Sequence, residues 1–77
     1  MTIIDASGLL CPFPLLQLQK KLKQVPTGEV VQLISTDKGS IKDVHSFCEQ
    51  TSHALIDEQI DYVHYRFVFT VQKNINI

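Results

Sequence analysis

Apolar residues recur along the chain with two different spacings, and these spacings predict strands and helices in alternation. Residues 3–6 are mostly apolar and precede the turn-forming pair Ser7-Gly8, which predicts a first strand. Between Pro14 and about Gln24, apolar side chains fall three or four residues apart, which predicts a helix with one buried face. The residues on that face are Leu15, Leu18, Leu22 and Val25, widened by Leu16. The segment Pro26-Thr27-Gly28 is expected to end this helix.

The middle of the chain again predicts a strand followed by a helix. Residues 29–35 contain a nearly continuous apolar run, which is typical of a central strand. After a polar turn, Ser40 is predicted to be the N-cap of a second helix, with Asp43 three residues later in a capping-box arrangement. The helix is expected to end near residues 52–53. Its apolar face is formed by Ile41, Val44, Phe47 or Cys48, and Thr51.

The last third predicts two further strands. Residues 54–60 are assigned to a third strand, although positions 57–59 are polar. The clearest strand follows, because aromatic and apolar residues alternate with polar ones. Val68 breaks the alternation and is expected on a partly covered outer face, and residues 74–77 are expected to fray. The inward positions of this strand are Tyr65, Phe67, Phe69 and Val71.

The element order is therefore β-α-β-α-β-β, which predicts an α/β (α+β) fold. Its economical form is a two-layer sandwich, a four-stranded sheet with two helices on one face. Seventy-seven residues are expected to form a single domain, 1–77, with a modest core. The sequence leaves the order of the strands within the sheet open.

Composition and charge exclude several classes of protein. A net charge of −1 provides no basic field, so we expect no direct contact with nucleic acid. Two cysteines are too few for a disulfide scaffold. No apolar run approaches a membrane span, and the first residues lack the basic and apolar regions of a signal peptide. These features predict a reduced, cytoplasmic setting without membrane contact.

The segment Cys11-Pro12-Phe13-Pro14 is the strongest chemical signal in the chain. Proline is tolerated in the first turn of a helix, and the residue before a proline favours the extended geometry of an N-cap. Cys11 is therefore predicted at the start of the first helix, or one turn ahead of it if the helix begins at Pro14. There the amides of Phe13 and Leu15 and the helix dipole would favour the reactive thiolate, with a pKa below about 8.5. The alternative is a small, buried and inert cysteine.

Other candidate residues have simpler interpretations. Cys48 lies on the apolar face of the second helix and is predicted to be a packed core thiol, the alternative being a redox role with Cys11. We expect no metal site, because neither Cys-x-x-Cys nor His-x-x-x-His spacing occurs, and His45 should face solvent. His53 and His64 lie at element ends, where exposed or capping histidines are usual.

Two features next to the cysteine are candidates for partner binding. The basic run Lys20-Lys21-x-Lys23 is either a solvated helix face or a docking patch for an acidic surface. Phe13 points either outward, as an apolar contact for a partner, or into the core.

At this point the chain resembles the TusA/SirA family of small sulfur-carrier proteins. The resemblance rests on Asp5, Gly8-Leu9 and Cys11-Pro12-x-Pro14, and the chain departs from many tRNA-thiolating members at Leu10, where they carry a basic residue. Further positions where the family has similar residues are Lys20, Gly28-Glu29, Asp37, Asp43, the His53 segment and Tyr65-Arg66-Phe67.

The resemblance implies a mixed four-stranded sheet and a sulfurtransferase-type persulfide carrier. In such a protein Cys11 would accept sulfane sulfur as a persulfide, supported by Pro12, Phe13 and Pro14, and pass it on. The implied partners are a sulfur donor, such as a cysteine desulfurase or another sulfurtransferase, and an acceptor protein, with tRNA thiolation one possible destination. We expect a monomer without a cofactor. The alternative is a non-catalytic regulatory or interaction module in which Cys11 is structural.

Overall fold

The structure, a computed structural model, describes residues 1–74. The expectation of fraying at residues 74–77 lies outside the described residues except for Asn74. Within residues 1–74 the predicted order of elements is confirmed. The elements are β1 (Thr2–Ala6), α1 (Phe13–Gln24), β2 (Val30–Ser35), α2 (Gly39–Gln50), β3 (Ala54–Asp61) and β4 (Arg66–Gln72).

The four strands form one mixed sheet in the order β1-β2-β4-β3. β1 and β2 are parallel, whereas β4 is antiparallel to both β2 and β3. The crossovers β1-α1-β2 and β2-α2-β3 therefore progress in the same direction across the sheet. Because such crossovers are right-handed, both helices lie on one face, as predicted. The sandwich of sheet and helices is confirmed.

This topology brings three connections to one edge of the sheet. Ser35, at the end of β2, lies opposite both Ala6 at the end of β1 and Phe67 at the start of β4. The β1–α1 loop, the β2–α2 loop and the β3–β4 hairpin therefore emerge at the same edge. Cys11 is carried by the first of these connections.

The core lies between the sheet and the helices. The inward side chains of β4 fall at the alternating positions that its sequence predicted, whereas β2, predicted from a continuous apolar run, is also buried at alternate positions; both strands meet the apolar faces of α1 and α2. Burying these side chains is the main stabilising contribution in so small a domain. The fully buried members are Leu18, Leu22, Val31, Leu33, Val44, Phe67, Phe69 and Val71.

Two predicted contributors to the core are instead on the surface. Tyr65 is 55% exposed and has a φ of 51°, so β4 begins only at Arg66. Its ring lies edge-on to Phe67 at the end of the sheet. Leu16 is 48% exposed, and Pro14 occupies the buried position near the start of α1.

The predicted N-cap of the second helix is wrong. α2 begins at Gly39, and Ser40 is buried with its hydroxyl 2.7 Å from the hydroxyl of Ser35. The carboxylate of Asp37 accepts the Gly39 N–H at 3.0 Å and so serves the first turn of the helix. Ser40 faces the sheet, where pairing with another buried hydroxyl satisfies both groups.

His53 also differs from the exposed or capping histidine expected at this position. It is 3% exposed, its ring lies 5.7 Å from that of Phe47, and its Nδ1 accepts the N–H of Asn74 at 3.3 Å. Burial, assisted by the charge of Lys73, lowers the pKa of the His53 imidazole. This histidine is therefore a neutral structural residue near neutral pH.

Candidate functional site

Cys11 is exposed on the loop that connects β1 to α1. Its peptide bond to Pro12 is cis. The loop turns at Gly8, whose φ of +84° suits glycine, and the Gly8 N–H donates to the Thr36 hydroxyl at 2.8 Å. That bond ties the cysteine loop to the loop that follows β2.

Asp37 strengthens the connection between the two loops. Its carboxylate accepts the N–H of Cys11 through Oδ2 and the N–H of Gly39 through Oδ1. The bond from Cys11 and then that from Gly39 lower the pKa of Asp37, so this carboxylate stays ionised at neutral pH. A Cβ atom on Gly39 would lie 3.4 Å from Cys11 Cβ, which shows how closely α2 approaches the cysteine.

The sulfur of Cys11 faces a second carboxylate. The thiol donates a hydrogen bond to Oδ2 of Asp43, in the first turns of α2. This hydrogen bond, desolvation and the negative charges of Asp43 and Asp37 raise the pKa of the Cys11 thiol. The predicted low pKa and thiolate at neutral pH are therefore wrong for the free protein.

The pKa is not lowered because amides at the helix N-termini donate to backbone carbonyls and not to the sulfur. The N-cap of α1 is Pro12, and the N–H of Phe13 donates to the Leu10 carbonyl at 2.9 Å rather than facing the sulfur. At the start of α2, the amides of Ser40 and Ile41 donate to backbone carbonyls of the preceding turn at 3.0 and 3.1 Å. The sulfur is left beside carboxylates instead of amide donors.

Several apolar side chains close to Cys11 in the chain are exposed. Leu9 and Leu10 are 38% and 72% exposed, and Phe13 is 56% exposed. Phe13 thus takes the outward position of the two predicted for it. Pro12 is exposed as well, whereas Pro14 is buried and anchors the start of α1. Exposed apolar side chains next to a reactive group are typical of a protein-binding surface.

The three lysines of the predicted docking patch are separate from this surface. Lys20, Lys21 and Lys23 lie in the second half of α1, roughly 10–15 Å along the helix from its start, by the rise per residue of a helix. Lys20 and Lys23 are exposed, and Lys21 is half-buried. Lys21 and Lys23 lie in the last turn, where positive charge stabilises the helix dipole.

Cys48 is a half-buried free thiol that packs against the core, as its sequence position predicted. Cys11 is also free, so no disulfide joins the two. A groove of about 390 Å³ is lined by residues of α2, β3 and the turn between them and includes Cys48, but it does not include Cys11. His45 lies near this groove, 2.7 Å from the Glu58 carboxylate. Across residues 1–74 there is no group of three side chains that could hold a metal ion.

Cys48 makes stability depend on pH in a predictable direction. Burial raises the pKa of its thiol to about 11. The folded state then holds this proton more tightly than the unfolded state. The contribution of the protonated thiol to the free energy of unfolding is therefore complete at neutral pH and is lost as pH rises. We expect the difference in free energy of unfolding between the parent and Cys48→Ala to shrink from about pH 9 to about pH 11. Urea titrations of both proteins measure this difference in free energy of unfolding. A difference that stays constant over this pH range would contradict the raised pKa of Cys48.

Asp37 and Asp43 are the residues to which the sequence reasoning assigned no role at the cysteine. Both were noted as family-like positions, and Asp43 was given a helix-capping role. The parallel pairing of β1 with β2 brings their carboxyl ends together, and this pairing is what places both carboxylates beside Cys11. Only a correct prediction of the strand order could have identified these two residues from the sequence.

No helix formed by residues 1–74 is long and apolar enough to cross a membrane.

Comparison with known proteins places this geometry in a family. The family model of sulfurtransferase TusA matches residues 2–72. A relative from Archaeoglobus fulgidus is 38% identical over 68 residues, which cover 88% of this chain and 93% of its own. The sulfur carrier protein TusA of Allochromatium vinosum is 43% identical over 56 residues, covering 73% of this chain and 74% of its own.

The fold has a close counterpart among solved structures. The crystal structure of a SirA-like protein from Desulfitobacterium hafniense superposes with a TM-score of 0.82 at 21% identity, covering 97% of this chain and all of that one. That similarity supports the fold, while the family match over residues 2–72 supports the relationship in sequence. The chain belongs to the sulfurtransferase TusA family.

Proposed function

We propose that this protein is a sulfur carrier, in which Cys11 accepts sulfane sulfur as a persulfide and relays it to an acceptor protein. The observation that carries the proposal is an exposed cysteine held on a firmly anchored loop within an apolar surface. A carrier needs a thiol that two successive partners can reach. Relatives in the same family bear the name sulfur carrier protein TusA.

The transfer is a thiol exchange at the sulfane sulfur. The sulfur of Cys11 attacks the terminal sulfur of a donor persulfide, R–S–SH, forming a new S–S bond while the donor S–S bond breaks. The bonding pair leaves with the donor sulfur, which takes up the proton that Cys11 loses. The products are a Cys11 persulfide and the donor thiol, and delivery to the acceptor repeats the exchange without any outside oxidant or reductant.

The proposed partners are proteins on both sides of this relay. The donor is a cysteine desulfurase or another sulfurtransferase, and the acceptor carries the sulfur onward, for example into tRNA thiolation. The nucleic acid would be bound by the acceptor, since this chain has a net charge of −1. We propose a cytoplasmic monomer, and the patch Lys20, Lys21 and Lys23 as a contact for acidic surfaces on a partner.

The direct test is sulfur loading followed by intact-mass measurement. The protein is incubated with a cysteine desulfurase and cysteine, or with a sulfurtransferase and thiosulfate. We expect a gain of one sulfur atom that is removed by a thiol reductant, and peptide mapping should place it on Cys11. A folded protein that gains no sulfur from either donor would contradict the carrier function.

A second candidate function is a regulatory or interaction module in which Cys11 is structural. The hydrogen bond from the thiol to Asp43 favours it, because it keeps the sulfur in its less nucleophilic form. Blocking Cys11 by alkylation distinguishes the two functions. A module would bind its partner equally well with Cys11 blocked by alkylation, whereas a carrier would lose all sulfur loading.

A further inference from the structure

The contact between Cys11 and Asp43 is at odds with a freely nucleophilic cysteine. A thiol that donates to a carboxylate is protonated, and ionising it would place two negative charges against each other. The side chain of Asp37 adds a third negative charge on the other side of the loop. The first turn of α1 carries no acidic residue, so the ionisable groups acting on the sulfur come from α2 and the loop before it.

Neither carboxylate forms an ion pair within the described chain, and the lysines next to them in sequence, Lys38 and Lys42, are exposed. Over residues 1–74 the ion pairs involve Glu29, His45 with Glu58, and His64 with Asp61, and none includes Asp37 or Asp43. Both carboxylates accept hydrogen bonds from Cys11, and Leu10 and Phe13, close to Cys11 in the chain, are exposed. An acidic pair that forms no ion pair of its own, close to exposed apolar side chains, is complementary to a partner that presents a cation next to apolar side chains.

We propose that Asp43 locks Cys11 in its protonated form, and that a lysine or arginine next to the reactive cysteine of the sulfur donor opens this lock on docking. The inference rests on the proposed sulfur-carrier function and assigns its regulation. In the free protein the carboxylate holds the thiol proton and protects the sulfur from stray electrophiles. In the docked complex the partner's cation pairs with Asp43, the hydrogen bond to sulfur breaks, and the sulfur attacks the donor persulfide, giving up its proton as the new S–S bond forms.

The proton balance is complete within the two proteins. Cys11 loses its proton as the new S–S bond forms, and the donor thiolate that departs takes up one proton. Asp43 neither gains nor loses a proton in this exchange, so it acts as a positioning and charge-controlling residue rather than as the final base. The partner's cation stabilises both the released carboxylate and the departing thiolate.

The first test uses the free protein and needs no partner. In a Cys48→Ser background, iodoacetamide reports the ionisation of Cys11 alone. We expect the alkylation midpoint of this parent to lie above about 8.5, the value for free cysteine, and Asp43→Asn to lower it. The rate near neutral pH should then rise about tenfold for each unit by which the midpoint falls. Asp43→Glu, which keeps the charge, should keep a raised midpoint.

The matched control is Asp57→Asn, an exposed acidic position on β3, which should leave the midpoint unchanged. A parent midpoint below about 8.5 would overturn the lock whether or not the variants fold. An unchanged midpoint in folded Asp43→Asn would overturn it as well. None of these readings depends on sulfur transfer, so the lock can fail while the carrier function stands.

The second test concerns the partner's cation and compares a small alkylating reagent with a protein sulfur donor. Asp43→Asn should react faster than the parent with iodoacetamide but load sulfur more slowly from the desulfurase or sulfurtransferase that loads the parent, because the docking ion pair is lost. Faster loading from the protein donor as well would overturn the proposed cation. Should no protein donor load the parent, the carrier function fails, and the alkylation midpoints still decide the lock.

Discussion

Cys11→Ser is expected to lose all sulfur loading from every donor that loads the parent protein. Serine preserves the size of the side chain and can donate the same hydrogen bond to Asp43, so the fold and the loop should be retained. Its hydroxyl, however, does not take part in thiol exchange at a sulfane sulfur. Intact-mass measurement after incubation with donor would show no added sulfur.

Cys48→Ser is the matched control for this loss. It removes the other cysteine of the chain, which is half-buried against the core and has a pKa raised to about 11. Loading of Cys48→Ser should equal that of the parent. A Cys11→Ser protein that still gained sulfur would mean that Cys48 is the carrier, and the proposed site would then be wrong.

Phe69→Ala is expected to lower the free energy of unfolding by about 3–5 kcal/mol. Phe69 is fully buried at the centre of β4, with Leu33 opposite it on β2. Removing the ring loses its burial and leaves a cavity that neighbouring strands cannot close without disturbing their pairing. The free energy of unfolding of a small domain is about 5–15 kcal/mol in total, so this one change removes a large part of it.

Urea denaturation followed by circular dichroism measures this effect. Phe13→Ala is the matched control, since its ring is 56% exposed beside Cys11 and contributes little to the core. Its stability should change by about 0.5 kcal/mol or less, as is usual for surface positions. Equal losses in the two variants would contradict the assignment of Phe69 to the core and Phe13 to the binding surface.

The elements were predictable because each depends on a local pattern. Alternation in residues 66–72 and the spacing of Leu18 and Leu22 predicted a strand and a helix that the structure confirms. Errors occur where local signals compete with packing. Ser40 has the chemistry of an N-cap, yet burial against the sheet turns its hydroxyl toward Ser35, and Asp37 serves the helix instead.

The candidate site shows the same division. Cys11 could be identified from its prolines and its place before a helix, and its exposure agrees with that identification. Its ionisation could not be predicted, because Asp37 and Asp43 lie 26 and 32 residues away in the chain. Their approach to sulfur requires β1 and β2 to pair in parallel, a long-range contact that periodicity does not report.

Residue order alone therefore specified the family, the succession of strands and helices, and the cysteine on which the chemistry is proposed to depend, since all three are written in short-range spacing and side-chain type. Folding in three dimensions settled the strand order, the outward position of Phe13 and the charge around the sulfur. The reason is physical: the pKa of the Cys11 thiol responds to carboxylates in direct contact with it, and those contacts exist only once distant loops meet at one edge of the sheet.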